Sequence, residues 1–335
     1  MTTDRPCLTL AHSPDPDDVF MWWPITGKID PRSGEVVAPP VIDTGRFEYR
    51  AVPADIDVLN RRAISGQASE LYDITAISFR AYADAASRYA LTACGSSFGD
   101  GYGPKVVAPP SPPAGGVKIG CDGCLKKPGV RFAVPGVRTT AFLLMGMVMG
   151  TEAVRRAIDE GRVREMGFER VIPAVASGEA DAGLVIHEGQ VTFADAGLKM
   201  VVDVGAWWKE KTGLPLPLGA NVVRRDLEGR YGAGTMAEVE RTLRASIEYA
   251  IEHRQESLEY ALPFALANVD RGGDQRERPT LERVARYVDM YVNRWTRDMG
   301  ADGVSALRRL FDAGTAAGLC PAVGELDVVG IAARG

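Results

Sequence analysis

The chain has 335 residues, of which 46% are hydrophobic and 25% charged, and its formal net charge is −5. That is ordinary globular composition, long enough for two lobes of ~150 residues with a core each. Mild acidity without a Lys/Arg run argues against a nucleic-acid partner, and no apolar run approaches the ~18 residues of a membrane span. Short apolar strand-like runs alternate with helical patterns, which predicts a mostly parallel sheet. CLTLA (7–11) reads as a strand, followed by the turn-rich HSPDPDD and an apolar helix from about Val19. FEYRAV (47–52) is a second strand. ADIDVLNRRAIS follows as a helix capped by Asp55, with Ile56, Leu59, Ala63 and Ile64 inward. YDITAIS and YALTACG are two more strands. Residues 104–128, rich in Pro, Gly and Lys, read as a linker or surface excursion.

Strand VRFAVPG then meets helix TTAFLLMGMVMG, a further helix leads into strand AGLVIH, and LKMVVDVG is another strand. LPLPLGANVV runs extended because its prolines forbid helix. Beyond Arg225 the pattern is helical to about Gly318. TMAE from Thr235 reads as a capping box closed by Glu238, with Met236, Val239, Leu243, Ile247 and Ile251 inward. The next helix carries Leu281, Val284, Val288, Val292 and Trp295 on one stripe, so the whole region reads as scaffold.

Five cysteines, Cys7, Cys94, Cys121, Cys124 and Cys320, form an odd and sparse set. With no basic segment followed by an apolar one at the N-terminus, they predict reduced thiols and a cytoplasmic protein. AISGQASELYDITAIS and AVASGEADAGLVIH echo each other as helix, Ser-Gly, acidic loop and strand, with Ser65-Gly66 matching Ser177-Gly178 and Asp73 matching Asp181. Two such half-units predict α/β lobes facing each other across a cleft, where ligands gather beyond the carboxyl ends of strands. His12, Ser78 and His187 sit at such ends.

His187 is one of three histidines. An imidazole with its ordinary pKa near ~6.5 takes a proton at neutral pH without retuning, so it reads either as a general base or as a histidine tied to a loop carbonyl. Glu188 orients it or faces solvent. Thr139 and Thr140 open a helix after a Pro135-Gly136 turn, where free N–H groups and hydroxyls suit a carboxylate or phosphate, or simply cap the helix. In HSPDPDD, His12, Asp15, Asp17 and Asp18 read as a polar wall of the cleft or a divalent metal site, or Asp17 and Asp18 simply cap the following helix at its positive end; His12 and Ser13 are the candidate cleft contacts. No metal site is expected: Cys121 and Cys124 form a lone CxxC without a second pair. GDGYGP (99–104) is no dinucleotide fingerprint, since a strand-like run follows it. Trp22, Trp23, Trp207 and Trp208 read as core, and Arg224 and Arg225 as surface ion pairs.

Several of these segments together carry a family resemblance: SPDPDDVFMWW (13–23), ITAISFRAYADAASRYALTACGSSFGDGYGPKVV (74–107), FAVPGVRTTAFLL (132–144), IPAVASGEADAGLVIHEGQ (172–190) and GLPLPLGANVVRRDL (213–227). In this order they resemble the 1,4-dihydroxy-6-naphthoate synthases of the futalosine route to menaquinone. The resemblance implies an α/β, two-lobed periplasmic-binding-protein-like type 2 fold with a hinged inter-lobe cleft and a helical C-terminal region. Its expected division is residues 1–107 with 222–335 as one lobe and 108–221 as the other. It implies a carbon–carbon lyase that takes cyclic dehypoxanthinyl futalosine, a small carboxylated molecule, to the dihydroxynaphthoate with loss of a three-carbon fragment, without metal or organic cofactor. His187 becomes the general base and Thr139 and Thr140 substrate contacts.

This chain also departs from the family. The family's Lys-x-Ser is Ala76-Ile77-Ser78 here, so Ser78 remains and Arg80 is the candidate replacement charge. The usual SPCPND opening reads SPDPDD and follows His12, and residues 109–130 look inserted. The competing readings are a non-catalytic solute-binding protein, which should carry a secretion signal, and a chorismate dehydratase-like enzyme; IHE and PLPLG favour the lyase.

Overall fold

The computed structural model describes residues 5–111, 116–118, 120–270 and 278–331. The chain opens with β1 (Cys7–His12), whose Leu8 and Leu10 are fully buried. Helix α1 (Pro16–Thr26) starts ahead of Val19 because Pro16 presets the helical φ and has no N–H to leave unpaired. Nearly all of α1 is buried, with Trp23 Nε1 donating to Ser257 Oγ at 2.9 Å, so the Trp22-Trp23 pair is core as expected. A small hairpin of β2 (Lys28–Ile29) and β3 (Val36–Ala38) precedes β4 (Glu48–Pro53). Helix α2 (Ile56–Ser65) is capped by the Asp55 carboxylate, which accepts from the Asp57 N–H. Then come β5 (Ile74–Ser78), α3 (Phe79–Ala85), β6 (Tyr89–Thr92) and β7 (Ser97–Gly99).

Residues 100–104 cross to a second sheet. It is built from β8 (Lys105–Ala108), β9 (Phe132–Val134), helices α4 (Thr140–Met149) and α5 (Thr151–Asp159), β10 (Val163–Glu165), α6 (Phe168–Ala176), β11 (Ala182–Val185), the short α7 (Gly189–Thr192) and β12 (Lys199–Asp203). Helix α8 (Val204–Thr212) leads back to β13 (Leu216–Arg224) in the first sheet. Five helices follow, α9 (Leu227–Tyr231), α10 (Thr235–Glu252), α11 (Arg254–Asp270), α12 (Leu281–Tyr291) and the turn α13 (Arg294–Arg297), then α14 (Gly300–Ala316) and an edge strand β14 (Val328–Val329).

The first sheet runs β14-β6-β13-β5-β1-β4 and the second β10-β9-β11-β8-β12. In each, a central strand pairs parallel on one side and antiparallel on the other: β5 with β1 and β13, β11 with β9 and β8. The sequence echo is therefore a structural one. Asp73, just before β5, accepts from the Thr9 N–H and hydroxyl and pairs with Arg230. Asp181, just before β11, accepts from the Arg131 N–H and pairs with its guanidinium. Each carboxylate ties the start of a central strand to its parallel neighbour.

Four expectations need correction. The lobe boundaries at 107/108 and 221/222 fall inside β8 and β13, and a strand belongs whole to one sheet; the changeovers lie at 100–104 and 204–215. Residues 105–108 belong not to the expected linker but, as the strand-like run after GDGYGP indicated, to a strand between β11 and β12, with Val106, Val107 and Ala108 buried outright. The capping box at Thr235 does not form. Gly234 enters at φ +88°, making Thr235 the first helical residue, and the Glu228 carboxylate takes the N–H groups of Gly234 and Met236 while Glu238 turns to Arg46. Cys121 and Cys124, expected reduced, are joined as a disulfide, their Cα atoms held 5.4 Å apart by the 3-10 turn over Asp122–Lys126.

The two inter-sheet connections touch. A Cβ on Gly205 would lie 2.1 Å from the carbonyl of Tyr102 and 2.4 Å from the Gly103 nitrogen, so the backbones meet at a distance only glycine allows. Lys105 pairs with Asp203 at 2.7 Å across the same junction, where the Asp203 carboxylate also caps α8. Among the described residues no helix is long and apolar enough to cross a membrane.

Candidate active site

A cavity opens between the two sheets, at the carboxyl ends of their strands. Ser13 and Asp15 follow β1, Ser78 ends β5, Thr139 and Thr140 follow β9, His187 follows β11, and all six line it. Tyr287 and Tyr291 of α12 and Gln190 of α7 close one side, and Ala76, where the resemblance expects lysine, lies in the wall.

His187 does not stand on β11 but two residues beyond it, at φ +53°, the one positive φ outside glycine among the described residues. Such a conformation costs roughly 1–3 kcal/mol and persists where surrounding structure imposes it, commonly at functional sites. Here the imposing contact is Asp15 of the other lobe, whose Oδ2 lies 2.5 Å from His187 Nδ1. The edge of Phe168 packs on the ring at 4.6 Å between centroids. Nε2 is buried and has no protein partner.

Burial acts to lower the His187 pKa, but the charge and hydrogen bond of Asp15, with Glu188 and Asp17 behind it, outweigh that and lift it to about 9. The expectation of an ordinary pKa is thus corrected: a neighbour chosen by the fold retunes the imidazole. Burial and Asp15 together raise Asp18 to about 7, and burial raises Glu188 to about 7 and Asp17 well above the usual carboxylate range. Glu188 neither faces solvent nor takes Nδ1; it lies buried near Asn268. Ser13 Oγ, Asp15 Oδ1, Asp17 Oδ1, Glu188 Oε2 and Asn221 Oδ1 are also buried without a protein partner. Buried polar atoms are normally satisfied, so this concentration marks where a polar ligand belongs.

The threonines are partly committed. Thr139 Oγ1 caps α4 by accepting from the Phe142 N–H and donates to the Gly136 carbonyl. Thr140 Oγ1 donates to the Leu218 carbonyl and accepts from the Arg80 N–H, bridging the lobes. Ser78 is clamped by Asn60, whose amide donates to Ser78 Oγ and accepts from its N–H.

Two expected contacts are not brought to the cavity. His12 is buried with Nδ1 2.7 Å from the Ser13 carbonyl, and burial lowers its pKa. The Arg80 guanidinium donates to the Leu319 carbonyl and pairs with Asp84, so it supplies no charge in place of the missing lysine. Arg225 pairs with Asp327 near the surface, as expected, whereas Arg224, paired with Asp226, is largely buried and also donates to the Leu71 carbonyl.

Gln190, Tyr287 and Tyr291 were not legible as site residues. Asp15 was legible only as one of three acids offering a polar wall to the cleft, not as the partner of His187. Gln190 lay three residues after His187 in HEGQ, a usable signal. The tyrosines fell within a helix whose stripe reads as scaffold.

The fold and cleft define the class, a two-lobed α/β protein of the periplasmic-binding-protein kind. The alkanesulfonate-binding protein SsuA of Xanthomonas axonopodis pv. citri superposes with a TM-score of 0.57, covering 96% of each chain, at 13% identity, a likeness of fold alone. A solved protein of Archaeoglobus fulgidus is nearer, with a TM-score of 0.71 and 39% identity over 93% of this chain and 98% of its own. The chain belongs to the menaquinone biosynthesis family, whose model matches residues 8–316. The 1,4-dihydroxy-6-naphthoate synthase of Thermus thermophilus is 35% identical over 315 residues, 93% of this chain and 95% of that one.

Proposed function

We propose that this chain is a carbon–carbon lyase that converts cyclic dehypoxanthinyl futalosine to 1,4-dihydroxy-6-naphthoate, working in the cytoplasm as a menaquinone biosynthetic enzyme. The observation that carries the reading is the Asp15–His187 pair in the cavity wall, with Nε2 buried and without a protein partner. Asp15 accepts the Nδ1 hydrogen and so fixes the neutral tautomer whose lone pair is on Nε2. That nitrogen takes a proton from the substrate beside the bond to be broken, and the imidazolium formed is stabilised by the carboxylate already in contact with it. Release of the three-carbon fragment leaves an aromatic ring, which supplies the driving force. The substrate carboxylate faces the opposite end, where Ser78, Thr139 and Thr140 meet the N-terminus of α4. Inter-lobe contacts such as Thr140 to Leu218 hold the cleft shut around the reacting geometry and exclude water.

A passive solute receptor has no use for a strained histidine paired with a buried carboxylate, which favours the enzyme. Incubation of the protein with the cyclic futalosine derivative and, separately, with chorismate, followed by chromatography, tests the reading. The expected result is dihydroxynaphthoate from the first only, and a loss of about 10²–10⁴-fold in kcat for His187→Ala. Unchanged turnover in that variant refutes the assigned base.

A further inference from the structure

Gln190 is 4% exposed, lines the cavity, and donates its backbone N–H to the His187 carbonyl at 3.1 Å, so its side chain leaves the same turn as the imidazole. Its Oε1 accepts from the Tyr291 hydroxyl at 2.7 Å. A carboxamide has one accepting and one donating end, and the two are interchangeable until a partner chooses between them. In the orientation seen the Tyr291 hydroxyl donates to the oxygen, and the NH2 is the end left to meet a ligand.

The phenol is itself held firmly. Its ring lies edge-on to Tyr102 in the first inter-lobe connection, at 6.0 Å, and tilted on Tyr287 at 5.3 Å. The Tyr291 carbonyl accepts from Thr296 Oγ1 at 2.6 Å. Tyr291 belongs to a helix that follows the return to the first sheet, and Gln190 to the turn after β11 in the second sheet. The bond between them exists only when the lobes meet.

From this arrangement we propose that Gln190 is a substrate-contacting residue, its side-chain NH2 donating to a substrate oxygen next to the base, and that Tyr291 is the residue that positions it. The reading rests on the function proposed above and adds a contact to it: a donor beside the base discriminates for substrates bearing a hydroxyl or carbonyl oxygen at that point. A Tyr291–Gln190 pair that merely staples the lobes makes a different prediction, because then removing either partner has the same effect.

The test measures the affinity of the intact protein for 1,4-dihydroxy-6-naphthoate by calorimetry, with KM and kcat for the cyclic substrate, in Gln190→Met, Tyr291→Phe and the double variant. The expected result is a loss of about ten-fold in affinity and a matching rise in KM for Gln190→Met, the size of one hydrogen bond, with kcat changed far less. Tyr291→Phe, which keeps the donor but frees the amide to turn, loses about three-fold. The double variant matches Gln190→Met, since Tyr291 acts through Gln190. Unchanged affinity in Gln190→Met, equal losses in the two single variants, or losses that add in the double variant overturn the proposal. If Gln190→Met does not fold, Gln190→Leu replaces it under the same criteria. If the wild-type protein itself neither binds the naphthoate nor turns over the cyclic substrate, the proposed function fails instead, a result separable from these.

Discussion

Asp15 stands where the family's usual opening has a cysteine, and it is the residue that touches His187. A carboxylate at hydrogen-bond distance does two things a thiol does not: it fixes the tautomer and it strengthens the base. With the imidazole lifted to about 9, activity that depends on its neutral form climbs with pH until about 9. Asp15→Asn removes the charge, so the climb should be complete at lower pH, nearer the ordinary value of ~6.5, while kcat falls by about 10²-fold as the tautomer loses its anchor. Profiles of kcat/KM against pH for the two proteins check this; coincident limbs would show that Asp15 does not tune the base. At this scale the sequence said that His187 ends a strand region and could accept a proton. It did not say what would sit against it, because the partner lies 172 positions away in another lobe and three acids in HSPDPDD compete for the role.

Elements were more legible than contacts. Period-two and helical patterns located β1, β4, β5, β9, β11 and α2 to within a few residues, because each buries a face that the pattern itself describes. Where a local signal misled, a tertiary constraint had replaced it: Glu228 supplanted the box at Thr235. At the junction of the two connections the backbone of Tyr102 and Gly103 meets Gly205, a close approach of chain to chain. Gly205→Ala puts a methyl group 2.1 Å from the Tyr102 carbonyl. Overpacking of this kind costs about 1–3 kcal/mol, so thermal melting of the variant should fall by several degrees. Gly101→Ala is no control, since φ +82° strains it anyway; Gly229→Ala, with open space at its Cβ, is one and should melt like the parent.

His187 and the buried acids around it, Asp18 and Glu188, all have raised pKa values, and their linkage to folding has one sign. His187 binds its proton more tightly folded than unfolded, so its contribution is complete below ~6.5 and is lost as pH rises through about 9. Asp18 and Glu188, raised to about 7, also hold protons that the unfolded chain has released by ~4.5, so their contribution likewise declines as pH rises toward 7. The protein without substrate should therefore melt at least a few degrees higher at pH 6 than at pH 9, measurable by calorimetry, and Glu188→Gln should flatten that dependence. The two-lobed plan itself was foreseeable from the repeated Ser-Gly and Asp positions, whereas its changeover points were not, since no composition break marks them. The strand order has a consequence for the chain's birth. β13 lies between β5 and β6, yet it leaves the ribosome only after every strand of the other sheet, so the half that emerges first keeps an unfilled slot at its centre until more than two hundred residues have been made. The later-born half is one uninterrupted segment, complete beforehand, and Asp15 waits through its synthesis for the histidine it will hold.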